Sequence, residues 1–222
     1  MLGRWIGVLG LTLALAGCDG AGDEGETDGG SGSGSGGSED SQSGSDGQTG
    51  NDSAASGADS DSGGSGEIPS NGYCDPVSSW DTAMTEFEED VLVIVNDVRA
   101  AGASCGGQSF SATGPLTMNP ALRCAARVHS KDMADRAFFD HTNPDGEDPF
   151  VRMERAGYSY FTAGENIAAG QTSPSDVMQG WMDSPGHCRN IMNPDFAEIG
   201  VGTFESEDGG YRYLWTQTFG AS

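Results

Sequence analysis

Apolar positions recur at spacings of three and four from Met84 through Phe87, Val91, Ile94 and Val95 to Val98. That is the period of a helix with one buried face, and it predicts a helix over 82–101 that stops at Gly102. Glu86, Glu88, Glu89 and Asp90 load its early turns with negative charge, which the helix dipole favours. A loop with Gly106-Gly107 and Gly114-Pro115 follows. Asn119 is set to cap a second helix with Pro120 at its first position, and its stripe reads Leu122, Ala126, His129, Met133 and Ala137. Asp148-Pro149 opens a short third helix through Phe150 and Met153, closed by Gly157. Ser173-Pro174 opens a fourth, with Val177, Met178 and Trp181 on one face and Pro185-Gly186 as its stop.

Beyond residue 198 the period changes from helical to two. Ile199, Val201 and Thr203-Phe204 run to Glu207-Asp208-Gly209-Gly210, after which Tyr211, Tyr213 and Trp215 alternate with Arg212, Leu214 and Thr216. The alternation and the turn residues predict a hairpin. One further segment, Gly164-Glu165-Asn166-Ile167-Ala168-Ala169-Gly170, suits a short buried strand that presents Glu165 into a cavity. Four helices and a small antiparallel sheet make an α+β chain, which satisfies burial by placing helices on both sides of the sheet. The aromatic set Phe138, Phe139, Tyr158, Tyr160, Phe161, Trp181 and Trp215 is expected to be mostly core.

The front of the chain has no such pattern. Arg4 and an apolar run from Trp5 to Ala16 end in Leu15-Ala16-Gly17-Cys18, the form of an export signal over 1–17 followed by a lipidated cysteine. On this reading Cys18 carries the acyl chains that anchor the chain in a membrane, since more than one chain is needed for stable anchoring. Residues 18–72 are Gly, Ser, Asp and Glu with almost no large apolar side chain, and are expected to stay disordered as a tether. A Gly/Ser chain of that length spans about 40 Å. The whole sequence carries a formal charge of −24. Residues 73–222 hold 22 acidic side chains against nine basic ones, a net of −13. Such a surface argues against a nucleic-acid partner. With Cys18 assigned to the lipid, Cys74, Cys105, Cys124 and Cys188 remain. In an exported chain they read as two disulfides, and spacing leaves all three pairings open.

Chemistry concentrates around Glu165. Phe138-Phe139-Asp140-His141-Thr142-Asn143-Pro144-Asp145-Gly146 precedes it and Trp181-Met182-Asp183-Ser184-Pro185-Gly186-His187-Cys188 follows, so one glutamate stands between two histidines on turn-forming segments. His129, on the apolar stripe of the second helix, reads as a buried structural histidine. His141, Glu165 and His187 could bind a divalent cation, zinc before others, or act as an acid–base pair. They could equally be a hydrogen-bonded clasp that pins loops. HExxH, Walker and dinucleotide glycine motifs are absent, and Ser184 lies in a helix-stop context without a nucleophile elbow.

These segments, in this order, resemble the CAP superfamily of SCP-like extracellular proteins, in its bacterial branch, over roughly residues 85 to 219. The resemblance implies a three-layer α-β-α sandwich in residues 73–222. It implies a cleft in which His141, Glu165 and His187 stand for three members of the family's histidine–glutamate tetrad. Ser184 occupies the place of the fourth member, a glutamate. Asp183 is adjacent but points about a hundred degrees away on a continuing helix. The resemblance also favours Cys105–Cys188, which leaves Cys74–Cys124. It implies a binding module for lipid, sterol or protein ligands in the cell envelope, held there through Cys18. The other reading is a metal-assisted hydrolase of envelope polymers or peptides working through His141, Glu165 and His187.

Overall fold

The structure, a computed structural model, describes residues 67–207 and 210–222. The export signal, Cys18 and the tether up to residue 66 lie outside the described residues, as do Asp208 and Gly209 of the expected hairpin turn. No helix among the described residues is long and apolar enough to cross a membrane.

Each helix starts where the sequence supplies an acceptor for its free amides. After a 3-10 turn at Asp75–Val77, α1 runs Thr82–Ala101, with the Asp81 carboxylate accepting from the Ala83 and Met84 amides. Helix α2, Pro120–Asp135, is capped by Asn119, and α3, Pro149–Arg155, by Asp148. Helix α4 is Pro174–Asp183, capped by Ser173. The strands are β1 (Ala103–Cys105), β2 (Gln108–Phe110), β3 (Thr117–Met118), β4 (Thr162–Ala169), β5 (Glu198–Glu205) and β6 (Tyr213–Ala221). β1 and β2 form a separate hairpin about Gly106-Gly107, where a loop was expected. The main sheet has the order β3-β5-β6-β4, with β3 parallel to β5 and the other pairs antiparallel.

Three expectations need correction. Pro185-Gly186 does not end the helical region: Pro185 is the first residue of a further helix, α5 (Pro185–Met192), after a break at Ser184. Proline, the usual stop signal, also suits the first helical turn, where its missing N–H costs nothing. Ala137 is not part of the α2 stripe. The Phe138 amide bonds back to the Met133 carbonyl and the Ala137 amide to that of Ala134, closing α2 with Ala137 at φ 52°. This is a Schellman closure with alanine where glycine is usual. The folded domain also begins earlier than Tyr73: Ile68 packs on the core, and the Asn71 side chain donates to the Ala156 carbonyl.

Helices cover both faces of the main sheet, giving the expected three layers. α2 lies against β5 and β6, and its approach depends on two glycines. A Cβ on Gly200 would stand 2.1 Å from the Leu122 carbonyl carbon, and one on Gly202 would stand 2.3 Å from that of Ala126. α1, α4 and α5 close the opposite face over Ile199, Val201, Trp215 and Phe219, all buried. β6 is buried on both faces for this reason, so its alternation separates two packed surfaces instead of core from solvent.

Two disulfides fix the margins. Cys74–Cys124 ties the N-terminal turn to α2, and Cys105–Cys188 ties the β1–β2 hairpin to α5. The second closes 83 residues, worth about 4 kcal/mol on the chain-entropy account.

Candidate functional site

β4 is an edge strand whose odd-numbered residues face α2, and this register points Glu165 inward at 8% exposure. Its carboxylate is held from two sides. Arg152 of α3 donates Nη2–H to Oε2 at 2.7 Å, and His141 of the α2–α3 loop meets Oε1 through Nδ1 at 2.8 Å. Arg152 also donates Nη1–H to the backbone carbonyls of His141 and Glu147, so one guanidinium fixes both the carboxylate and the loop that carries the histidine. A carboxylate only accepts, so His141 donates Nδ1–H to Glu165, and its Nε2 edge takes no part in that bond. The Arg152 and Glu165 side chains are 2% exposed and His141 is 47% exposed, so the histidine is the member of the trio that meets water.

His129 forms the inner wall. It is fully buried on α2, donates Nε2–H to the Asp140 carbonyl at 3.0 Å, and stands 4.0 Å from Glu165 Oε1. Its Nδ1 finds no partner, and the Phe138 ring packs beside it. Burial drives its pKa down to about 4, outweighing the upward pull of Glu165, so the ring is neutral at pH 7. Its stripe position predicts this burial; its approach to the site carboxylate comes only from the fold.

His187 lies in the first turn of α5, half-buried, and its carbonyl accepts from Asn166 Nδ2. Burial, and then the proximity of His141, lower its pKa, so it too is neutral at pH 7. Asn190, one turn on, bridges the Glu165 carbonyl and Asn166 Oδ1. With Trp181 Nε1–H bonded to the Ile167 carbonyl, these side chains satisfy the open edge of β4. Ser184 sits at the α4–α5 break and its side chain makes no capping bond to α5. Asp183 is turned along α4 to Gln179 and does not replace the missing glutamate.

Arg152 is the functional residue that sequence reasoning missed. Its signal was present: Pro149, Arg152, Met153 and Ala156 share one buried helical face, and a cation on such a face demands a buried anion. The expected zinc site is not supported by the donor set. Both Glu165 oxygens are already engaged, which leaves two imidazoles, and no group of three or more His, Cys, Asp or Glu gathers to hold a metal among the described residues. A catalytic zinc needs three protein ligands and a structural one four. The aromatic set is also less buried than expected: Phe139 is 47% and Phe161 90% exposed. A cleft of about 490 Å³ opens between Trp80, Met84, Lys131 and Phe204, and its lining contains no histidine.

The fold is an α-β-α domain in which Arg152 and His141 hold a buried glutamate, and the comparisons give the family. The model of the cysteine-rich secretory protein family (CAP) matches residues 94–219, more than half of the chain, and the chain belongs to that family. It is 48% identical over 105 residues to an uncharacterized protein, YkwD, of Bacillus subtilis, covering 47% of this chain and 39% of that one. It is 25% identical over 123 residues to an uncharacterized membrane protein, YlbC, of the same organism, covering 55% of this chain and 33% of the relative. Among solved structures it is similar to an extracellular protein containing an SCP domain from Bacillus anthracis, with TM-score 0.53 and 27% identity over 63% of this chain and 41% of that chain. The chain thus spans well under half the length of these proteins.

Proposed function

We propose that this chain is a binding module of the cell envelope, anchored through lipid on Cys18, whose ligand is gripped between His141 and His187. One observation carries the reading. Arg152 and Glu165 are spent on holding His141 by its Nδ1, on a side chain half open to water. Such a prebuilt polar edge near the neutral His187 suits a hydroxyl or amide of a lipid, sterol or protein ligand. It costs little reorganisation when the ligand arrives. The extracellular relative and the lipobox ending at Cys18 both support an envelope location.

The test is recovery from native envelope in mild detergent, with lipid and protein mass spectrometry on the same sample. A species that copurifies with the native chain and drops at least about tenfold with His141→Gln supports the cleft. Equal recovery from both chains overturns it. Anchoring is read separately, by labelled palmitate: Cys18→Ser must abolish incorporation.

A second reading rests on the same 2.8 Å contact. A carboxylate that orients an imidazole through Nδ1 is also the arrangement of a general base. In that case Glu165→Gln would leave ligand affinity nearly unchanged and remove turnover. In a binding module it would weaken affinity instead.

A further inference from the structure

Phe161 is 90% exposed, more than any other large apolar side chain among the described residues, and Phe150 and Val151 are 41% and 39% exposed. Phe150 and Val151 are consecutive at the start of α3, and Phe161 directly follows Tyr160 in the chain. The Tyr160 ring lies 6.0 Å from that of Phe150 and is stacked on Tyr158 at 6.3 Å. The first turn of α3 and the loop entering β4 therefore build one aromatic ridge on a firm base, since Tyr158 is buried and its hydroxyl donates to Glu198. Single exposed apolar residues are ordinary, but a contiguous patch rimmed by polar groups marks an interaction surface.

The rim is acidic. Asp148 caps α3 and Glu154 stands one turn beyond Phe150 on the same helix face, so both carboxylates border the ridge, and their fields add to burial in pushing the Tyr160 hydroxyl up. Neither meets a cation among the described residues. Asp148 is occupied only with the Val151 amide, and the one exposed cation of α3, Arg155, is turned to Glu147 and lies over the Tyr73 ring at 4.6 Å. This excess disfavours two other occupants. An anionic bilayer would face two bare carboxylates on a domain of net charge −13. A second copy in an isologous contact would bring the same carboxylates against themselves.

We propose that the ridge of Phe150, Val151, Tyr160 and Phe161 is a docking surface for a polypeptide partner that presents an apolar face bordered by lysine or arginine. The aromatic rings fill the apolar face, and Glu154 and Asp148 pair with its cations. The surface involves neither His141 nor His187.

The full chain carrying Cys18→Ser stays free of detergent and allows a direct test. The probe is a synthetic amphipathic helix of leucine and lysine, with its leucine–glutamate counterpart as control, read by fluorescence anisotropy. The lysine peptide is expected to bind and the glutamate peptide not. Phe161→Ser is expected to weaken binding by about tenfold or more, as an anchor residue does. Glu154→Gln is expected to weaken it at low salt and much less at high salt. Both positions are exposed, so thermal unfolding should be unchanged, and His141→Gln should bind the peptide normally. The proposal is overturned by a lysine peptide that does not bind, or that binds Phe161→Ser as well as the native chain. It is equally overturned if Phe161→Ser abolishes adsorption to phosphatidylglycerol vesicles, or a concentration-dependent dimer in sedimentation, and leaves peptide binding intact.

Discussion

Two buried glutamates serve the two edges of the same sheet, and they differ in one respect that separates structure from function. Glu88 of α1 lies at the β5 edge beyond the two-residue β3, where it accepts from the Thr203 amide and from Arg123 and Arg127 of α2. All of these groups are sealed: Glu88 is fully buried, and the arginine side chains are 2% and 8% exposed. Burial pushes the Glu88 carboxyl up, and the two guanidiniums work against it. Glu165 at the β4 edge is equally buried and is also met by an arginine, but its second partner is His141, half open to solvent. A buried, paired carboxylate is therefore not by itself a sign of function. The sign is a titratable partner that reaches from the buried pair into water.

The largest effect should come from unbalancing the sealed cluster. Arg127→Met removes three hydrogen bonds to Glu88 and leaves one cation at a buried anion, so urea unfolding should show a loss of about 3–5 kcal/mol. A loss under about 1 kcal/mol would mean that the cluster is not sealed in solution.

Acid should act next, through the open edge. His129 is neutral when folded, with a pKa of about 4 against the usual 6.5. The unfolded chain therefore takes up its proton first as pH falls. Stability is complete above pH 6.5 and is lost progressively between there and about 4, by about 3 kcal/mol for His129 alone. His187 is shifted the same way and adds with the same sign. His129→Gln keeps a donor for the Asp140 carbonyl and does not titrate, so its urea midpoint should be flatter over this range. Parallel curves for the two chains would remove His129 from the balance.

Arg152→Met is the counterpart of the first change on the open side. Its cost in urea unfolding should be smaller, about 2 kcal/mol, because Glu165 keeps the Nδ1–H bond from His141. A cost equal to that of Arg127→Met would erase the distinction between the two edges.

His141→Gln should be nearly silent in stability, under about 1 kcal/mol, because an ion pair with a half-exposed partner contributes little. Thermal melts of the purified chain check this. A large fall in melting temperature would make the trio a structural clasp, with the cleft as its by-product.

How far these features were legible in the sequence depended on whether the signal was local. Caps at Asn119, Asp148 and Ser173 were readable because a cap is satisfied by amides two or three residues away. The strand carrying Glu165 was readable as well, since its small and apolar run lies within one segment. α5 was misread because proline ends one helix and begins another with the same side chain, and only the packing of Cys188, Ile191 and Met192 decides which.

The sequence by itself determined the helical and strand periods, the order of one glutamate between two histidine segments, and a four-cysteine framework. Only the tertiary structure decided which charges share a buried site. Glu165 and Arg152 are 13 residues apart in the chain and meet because β4 and α3 pack together; Glu88 and Arg127 are 39 apart and meet across α1 and α2. The physical reason is that a buried charge is stabilised by whatever opposite charge the packing delivers, and sequence spacing does not report that delivery. The same holds for Phe161. Its type predicts burial, and only the fold leaves it in water.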